Sequence, residues 1–438
     1  MVLAVTALPT MPKPSDLVFM LNEEDFEDYL DDWLHKEEQR WVNITLADEW
    51  RNARSGCTFR VNGDLGQPQP VYIHRNQLLM PSGSSGQIQV NAGEQIRIGC
   101  PGPSRTIRHP NILTNTAFAT ATCVGGDQVS GSGWLRGNGA FGGLTCSGES
   151  YYDAEATGGT CFGNNAVIRV GFIVENVFYT WYNSCFDKTR LEVLYVWYQQ
   201  TAQHGIHQTG VDRPNWLAGS FFPGVNINNL YTQNTQKNVI AGIIGNNQAD
   251  RLINNQQFLT RGHLAAKSDF PLATAQRATF HFVNAAPQWS PFNGGNWNSL
   301  ELDLRARIAQ ANYNTVIYTG TFGVTQLRDG SNRLRDIYLN KNGNTGQVPV
   351  PMYFYKVAYD ASRRLGTAFI SINNPYYSAA EIRALQFCTD RCRNNSAFSW
   401  LRWQPDRIDL GYSFCCTIAD FRRTITHIPN WNVVGLLS

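Results

Sequence analysis

Between residues 259 and 312 the chain alternates with a period of two, turns, and then repeats with a period of four. A segment patterned in this way has few means of burying its apolar residues. LTRGHLA (259–265) reads as a strand, and Arg261 and His263, two positions apart, share one of its faces. Gly262 between them lacks a Cβ, which lets another backbone or a phosphate come close. After a loop, ATFHFVNAAPQ (278–288) reads as a second strand, and a helix follows from about 295 to 312. Asn293, Trp297, Glu301 and Arg305 are four apart and line up along one drifting stripe. Leu300, Leu304 and Ile308 form the neighbouring stripe and face the core. The helix thus buries its leucines while presenting an amide, a carboxylate and a guanidinium to one cleft. PMYFYKVAYD (351–360) and GTAFISINN (366–374) are two further strands for a central antiparallel sheet, so the expected class is α+β.

At 438 residues the chain is too long for one ordinary core. Residues 1–50 form an acidic leader or pro-segment, and Phe26, Leu30 and Leu34 within it predict an amphipathic helix. Residues 51–185 read as an all-β domain. Short alternating runs such as QPVYIHR, GQIQVNAG and EQIRIGCPG are separated by Gly, Pro and Ser, and AVIRVGFIV and VFYTWY close the segment. Twelve of the 38 glycines fall between 125 and 163 and exclude helix there. Their spacing does not fit a phosphate loop. From 186 to 438 the composition shifts. KTRLEVLYVWYQQTA reads as a strand and QADRLINNQQ as a helix. SAAEIRALQFCTDRC reads as a helix with Cys388 and Cys392 on one face.

Ten cysteines, six early and four late, lack zinc-finger spacing and are read as disulfides of an oxidising compartment. They are expected to pair within their groups, with Cys388 and Cys392 joined to Cys415 and Cys416. Asn43-Ile44-Thr45 and Asn394-Asn395-Ser396 are glycosylation acceptor triplets. MVLAVTALPT is apolar but lacks a basic flank, so it is at most the remnant of a secretory signal. No apolar run reaches a membrane span, and membrane association is not expected. The overall charge of +2 conceals an asymmetry. Residues 1–50 hold 12 acidic and 3 basic side chains, a net of −9, which leaves +11 on the remainder. A basic body suits a polyanionic partner, although +11 over nearly 390 residues is also ordinary.

A histidine base, an amide-ligated divalent metal and arginines aimed at a phosphate are what metal-assisted phosphodiester cleavage needs. Taken singly, each part has a duller reading: a structural histidine, a surface Glu–Arg pair, an Asn-Gly-Gly turn. Together they resemble the ββα-metal DNA/RNA non-specific endonucleases. The motif of that family runs Asp-Arg-Gly-His, then Asn-x-x-Pro-Gln, then Asn-x-Gly-x-Trp-x-x-Leu-Glu, then an arginine. This chain has Thr260-Arg261-Gly262-His263, then Asn284, Pro287 and Gln288. Next come Asn293, Gly295, Trp297, Leu300 and Glu301, and then Arg305. Thr260 departs from the usual aspartate and puts fine positioning in doubt. From about Tyr231 onward the chain resembles the secreted arthropod branch. CTFRVNGDLGQPQPVYI resembles the N-terminal domain of insect double-stranded ribonucleases.

The resemblance implies a ββα-metal nuclease domain preceded by a disulfide-stapled all-β domain. It makes His263 the general base and Asn293 the protein ligand of a hydrated Mg²⁺, with Mn²⁺ as a substitute. Glu301 would hold metal-bound water. Arg261 and Arg305 would clamp phosphate oxygens, and Thr260, Asn284 and Gln288 would position the site or the substrate. It further implies a secreted, extracellular enzyme, of the digestive lumen among other places, that acts on double-stranded RNA and DNA. Products would carry 5′-phosphate. Two other readings stand beside it: a nucleic-acid-binding protein with a degenerate site, and a β domain that serves as a carbohydrate or adhesion module. The acidic leader is a candidate intramolecular inhibitor. The sequence leaves the RNA-against-DNA preference and the oligomeric state open.

Overall fold

A computed structural model describes residues 56–112, 116–131, 134–135 and 137–438. The acidic leader, its expected helix and the Asn43 triplet lie outside the described residues. The backbone is organised by one eight-stranded antiparallel sheet. Its spatial order is Asp153–Thr160, Ala166–Val174, Val177–Asp187, Glu192–Thr201, Asn314–Val324, Pro351–Asp360, Leu365–Ile372 and Ser413–Cys416. Four of its seven steps are hairpins, and the steps from Asn314–Val324 to Pro351–Asp360 and from Leu365–Ile372 to Ser413–Cys416 are longer returns. The longest is the step from Glu192–Thr201 to Asn314–Val324. These strands are direct neighbours, with Thr201 opposite Asn314, yet 112 residues separate them. That excursion, 202–313, contains all the residues singled out above for chemistry.

The sheet is covered on both faces, so its central strands are apolar almost throughout: Glu192–Thr201 and Pro351–Asp360 bury side chains of both parities. On one face Val196, Ile317, Phe354 and Phe369 join Leu300, Leu304 and Ile308 of the helix Asn298–Gln310. On the other, Tyr195, Tyr355, Val357 and Ile370 pack against Phe421 and Ile425 from the C-terminal segment.

The early β-rich segment has the expected alternation. Gly56–Arg60 pairs with Gln87–Asn91, and both bury every second residue. A six-stranded sheet containing Val71–His74, Gln95–Gly99 and Phe118–Gly125 lies alongside. Disulfides Cys57–Cys123 and Cys100–Cys146 staple this region. Cys161–Cys185 braces the large sheet, and Cys388–Cys416 and Cys392–Cys415 fasten the C-terminal segment. All ten cysteines pair within their groups, as the spacing suggested.

Several expectations are corrected. The boundary at 185/186 falls inside the strand Val177–Asp187, which pairs with neighbours on both sides. Residues 54–438 form one compact unit with a continuous apolar cluster running from Phe59 to Phe369. Apolar composition marked strands there but not which sheet they join. The run ATFHFVNAAPQ is strand only over Ala285–Trp289, because a helix Ala273–Ala278 and a 3₁₀ turn Phe282–Asn284 take up its first half. The helix Ala379–Leu385 ends as Gln386 turns extended, so Cys388 and Cys392 lie beyond it. Asn394 is exposed.

Candidate active site

Leu259–His263 pairs antiparallel with Ala285–Trp289, Thr260 opposite Gln288 and Gly262 opposite Ala286. Opposed residues share a face, so Arg261 and His263 stand on one side and Thr260, Gly262 and Gln288 on the other. The Thr260 hydroxyl donates to the Gln288 carbonyl at 2.9 Å. Gly262 is explained by Gln288. A Cβ there would fall 2.3 Å from Gln288 Oε1, so the group that comes close is the Gln288 amide, not a phosphate. Both polar atoms of that amide are buried without a partner among the described residues. Asn284 is spent on backbone: its Oδ1 accepts from Ala265 N–H at 2.8 Å, and its Nδ2 donates to the carbonyls of Ala265 and Thr279, each at 2.9 Å. It therefore fixes the chain just after His263.

An aromatic wall backs Arg261 and His263. The His263 ring lies 4.6 Å from Trp216 and 4.8 Å from Phe280, and Trp216 also meets Phe282. The Arg261 guanidinium sits over Tyr231 and Phe282 at 5.3 and 5.7 Å, and donates to the Asn228 carbonyl at 3.2 Å. Among the described residues its Nε is buried without a partner. Burial against these rings, with the charges of Arg213 and Lys267, pushes His263 down to about 3. The imidazole is therefore neutral at working pH, and its buried Nε2 has no hydrogen-bond partner among the described residues. Lys267 Nζ is held by the Val211 carbonyl at 2.6 Å.

Asn293 opens a π-helical turn, Asn293–Trp297, ahead of the helix Asn298–Gln310. Gly295 departs from helical angles there, and a Cβ on it would meet Leu410 at 3.0 Å. Asn296 pins the turn to the 404–411 loop. Its Nδ2 donates to the carbonyls of Gln404 and Gly411, and its Oδ1 accepts from Gln404 N–H. Neither Asn296 nor this loop stood out in sequence, although Asn-Gly-Gly-Asn carried the signal.

Glu301 and Arg305 lead into a buried ion cluster. Asp269 Oδ1 is 3.6 Å from Arg305, and its Oδ2 is 3.5 Å from Lys356 and 2.5 Å from the Tyr198 hydroxyl, which donates to it. Arg305 also donates to Ser268 Oγ at 2.6 Å. The guanidinium is thus engaged inside the protein. No sequence pattern links Asp269, Lys356 and Tyr198, because they come from three separate elements. Lys356 and Arg305 hold the Asp269 carboxyl below its usual range against the effect of burial. Glu301 behaves oppositely. Burial, reinforced by Asp269 and opposed by Lys356, Arg305 and the nearby Trp297 indole, pushes it up to about 8, and its Oε1 is buried with no hydrogen bond among the described residues. A buried carboxylate oxygen on the helix that continues from the Asn293 turn fits a divalent cation, whose charge would return Glu301 to its ionised form.

Residues 163–421 match the DNA/RNA non-specific endonuclease family. The chain is 27% identical over 381 residues to the salivary endonuclease of Lutzomyia longipalpis, covering 84% of this chain and 83% of that one. It is 21% identical over 392 residues to salivary protein Tsal2A of Glossina morsitans morsitans, covering 87% and 94%. Among solved structures, a chain of the EndoG/EndoGI complex matches 44% of this chain and 71% of its own length, at 23% identity and a TM-score of 0.31.

Proposed function

The chain belongs to the DNA/RNA non-specific endonuclease family, whose members are phosphodiester hydrolases and typically metal-dependent, and we propose that it is a secreted, Mg²⁺-dependent endonuclease acting on double-stranded RNA and DNA. The observation that carries the reading is His263. It is a neutral imidazole whose buried Nε2 has no hydrogen-bond partner among the described residues, backed by Trp216 and Phe280 and near two cations. Such a group accepts a proton from the attacking water. An incoming phosphodiester offsets the charges of Arg213 and Lys267 and makes His263 a stronger base at the moment it is needed. Arg261, pre-oriented in its aromatic slot, faces the phosphate oxygens. Arg305 adds positive potential from its buried place behind Glu301. Asn293 and Glu301 would hold the Mg²⁺. When bound, the cation supplies charge stabilisation to the phosphate and the departing 3′ oxygen.

Water as nucleophile leaves 5′-phosphate and 3′-hydroxyl ends and makes no use of a ribose 2′-hydroxyl. A preference for double-stranded RNA would then come from duplex shape. Secretion is supported by five disulfides and by the salivary proteins to which the chain is similar. No helix of the described residues is long and apolar enough to cross a membrane. Exposed Asn394 is the expected glycan acceptor. The test is cleavage of single- and double-stranded RNA and DNA with Mg²⁺ and with chelator, followed by end-group analysis. Both duplexes should be cut with Mg²⁺ alone, to 5′-phosphate ends. Products with 2′,3′-cyclic phosphate, or cutting unaffected by chelator, would overturn the reading.

A further inference from the structure

The segment that carries Arg213 and Trp216 has no regular secondary structure between the 3₁₀ turn Ala202–His204 and the helix Ile227–Leu230. A loop of this length needs outside support to hold a ring 4.6 Å from His263. At its far end Leu217 is fixed by the catalytic region: its N–H donates to the Phe280 carbonyl and its carbonyl accepts from Phe282 N–H. At its near end the support comes from the β-rich region more than a hundred residues earlier. Asn62 brackets the loop with its amide, Nδ2 donating to the His207 carbonyl at 3.1 Å and Oδ1 accepting from Thr209 N–H at 3.0 Å. Gln69, fully buried, donates from Nε2 to Gln208 Oε1 at 2.8 Å, and its own Oε1 accepts from Thr274 N–H at 3.2 Å. Gln208 completes the junction. Its Oε1 accepts from Ala273 N–H and its carbonyl accepts from Gln276 Nε2, so it binds the helix Ala273–Ala278 that leads to Phe280. These are directional bonds among side-chain amides and backbone, the kind that fixes one geometry rather than adding bulk adhesion.

We propose that the N-terminal β region serves the nuclease as a clamp, and that Asn62 and Gln69 are positioning residues that hold the 207–217 loop so that Trp216, Arg213 and the Val211 carbonyl that anchors Lys267 stand around His263. The inference rests on the reading of His263 as the base. It gives the β region a part in phosphodiester cleavage without any contact with the reacting atoms. A loop that drifts by about 1 Å at such a distance costs as much as ten- to a hundred-fold in rate.

The test uses full-length N62A and Q69L. Hydrogen exchange of the 205–217 amides is measured together with kcat and KM on double-stranded DNA. Asn62 is only partly buried, so N62A should fold and decides the matter if Q69L does not. The expected result is faster exchange confined to 205–217, an unchanged melting temperature within a few degrees, and kcat/KM lower by about ten-fold. Unchanged exchange would overturn the proposal. So would faster exchange with wild-type kcat/KM, or a lower melting temperature with neither effect, since a merely stabilising contact gives that last pattern. A wild-type protein that cuts nothing would instead sink the nuclease reading, while the exchange measurement still reports on the clamp.

Discussion

Within the site, each residue is held by something that its type alone does not disclose. Thr260 stands where the family has aspartate, and its hydroxyl is used on the Gln288 carbonyl. This is a strand-to-strand tie rather than a charge. His263 is kept neutral by burial and by two cations. Replacing it with alanine removes the proposed proton acceptor without removing any hydrogen bond to Nε2 among the described residues. H263A should therefore stay folded and bind nucleic acid while losing 10²–10⁴-fold, to order of magnitude, in kcat. Turnover near wild type would eliminate His263 as the base. Asn293 differs in kind, because its backbone turn is fixed by Gly295 and Asn296 and its side chain is the proposed ligand. N293A should shift the Mg²⁺ titration of activity to much higher concentration with the fold intact. An unchanged titration would mean the cation is held elsewhere.

Among elements, the ion cluster is the joint. It ties the turn Lys267–Asp269 after the strand Leu259–His263 to the helix Asn298–Gln310 and to the sheet strands Glu192–Thr201 and Pro351–Asp360. Asp269 forms ion pairs with both Lys356 and Arg305, and all three are at least nine-tenths buried. Removing its charge leaves two buried cations uncompensated. D269N should lose about 3–5 kcal/mol in urea denaturation. It should also lower kcat more than KM, because Arg305 and Glu301 lose their fixed arrangement while the Arg261 surface is untouched. A D269N protein within about 1 kcal/mol of wild type would show that the cluster is solvated rather than sealed. The π-turn is the second joint. It leans on the 404–411 loop, and Cys392–Cys415 closes the chain around that loop. The late disulfides thus support the Asn293 turn as well as the C terminus.

For the whole molecule, buried titratable groups set the pH dependence of stability. His204 and His427 are pushed down to about 4, and His263 and His281 to about 3, chiefly by burial. Glu192 and Glu301 are pushed up to about 7 and about 8, again chiefly by burial. Between about pH 4.5 and 6.5 the unfolded chain protonates four histidines that the folded protein leaves neutral. The folded protein keeps protons on two glutamates that the unfolded chain releases. The unfolded state binds more protons, so stability rises with pH in that window. Above about 6.5 the histidines are neutral in both states. The two glutamates hold protons only when folded, and stability then falls through pH 7 to 8. Melting temperatures in chelator from pH 4.5 to 9 should peak near 6.5. A monotonic rise through pH 8 would show that Glu301 and Glu192 are ionised in the fold. The charge asymmetry also acts at this scale. Residues 1–50 carry a net −9 against +11 elsewhere. Aromatic-studded carboxylates such as EEDFEDYLDDW would compete with a polyanion for a basic cleft. Deleting residues 1–50 should raise activity and nucleic-acid affinity, most at low salt. Identical activity and salt dependence in the truncated protein would end the inhibitor idea.

Periodicity was enough to place Leu259–His263 as a strand, to put Arg261 and His263 on one face, and to turn Leu300, Leu304 and Ile308 into the core. Local spacing also brought Asn293, Glu301 and Arg305 onto one turn and helix, and cysteine grouping foretold which halves of the chain pair. These are short-range facts, fixed by strand and helix geometry within a few residues of the feature itself. What surrounds His263 and Arg305 is a different matter. Trp216, Lys356, Tyr198 and the Asn62 and Gln69 amides come from segments up to about two hundred residues away, with no pattern in common. They meet only because residues 202–313 leave the sheet and return to the neighbouring strand. The two pKa shifts that matter most, His263 downward and Glu301 upward, arise from burial and from those distant charges. Burial is a property of the packed chain: composition says which side chains are apolar, but only the closed sheet decides which polar ones they enclose.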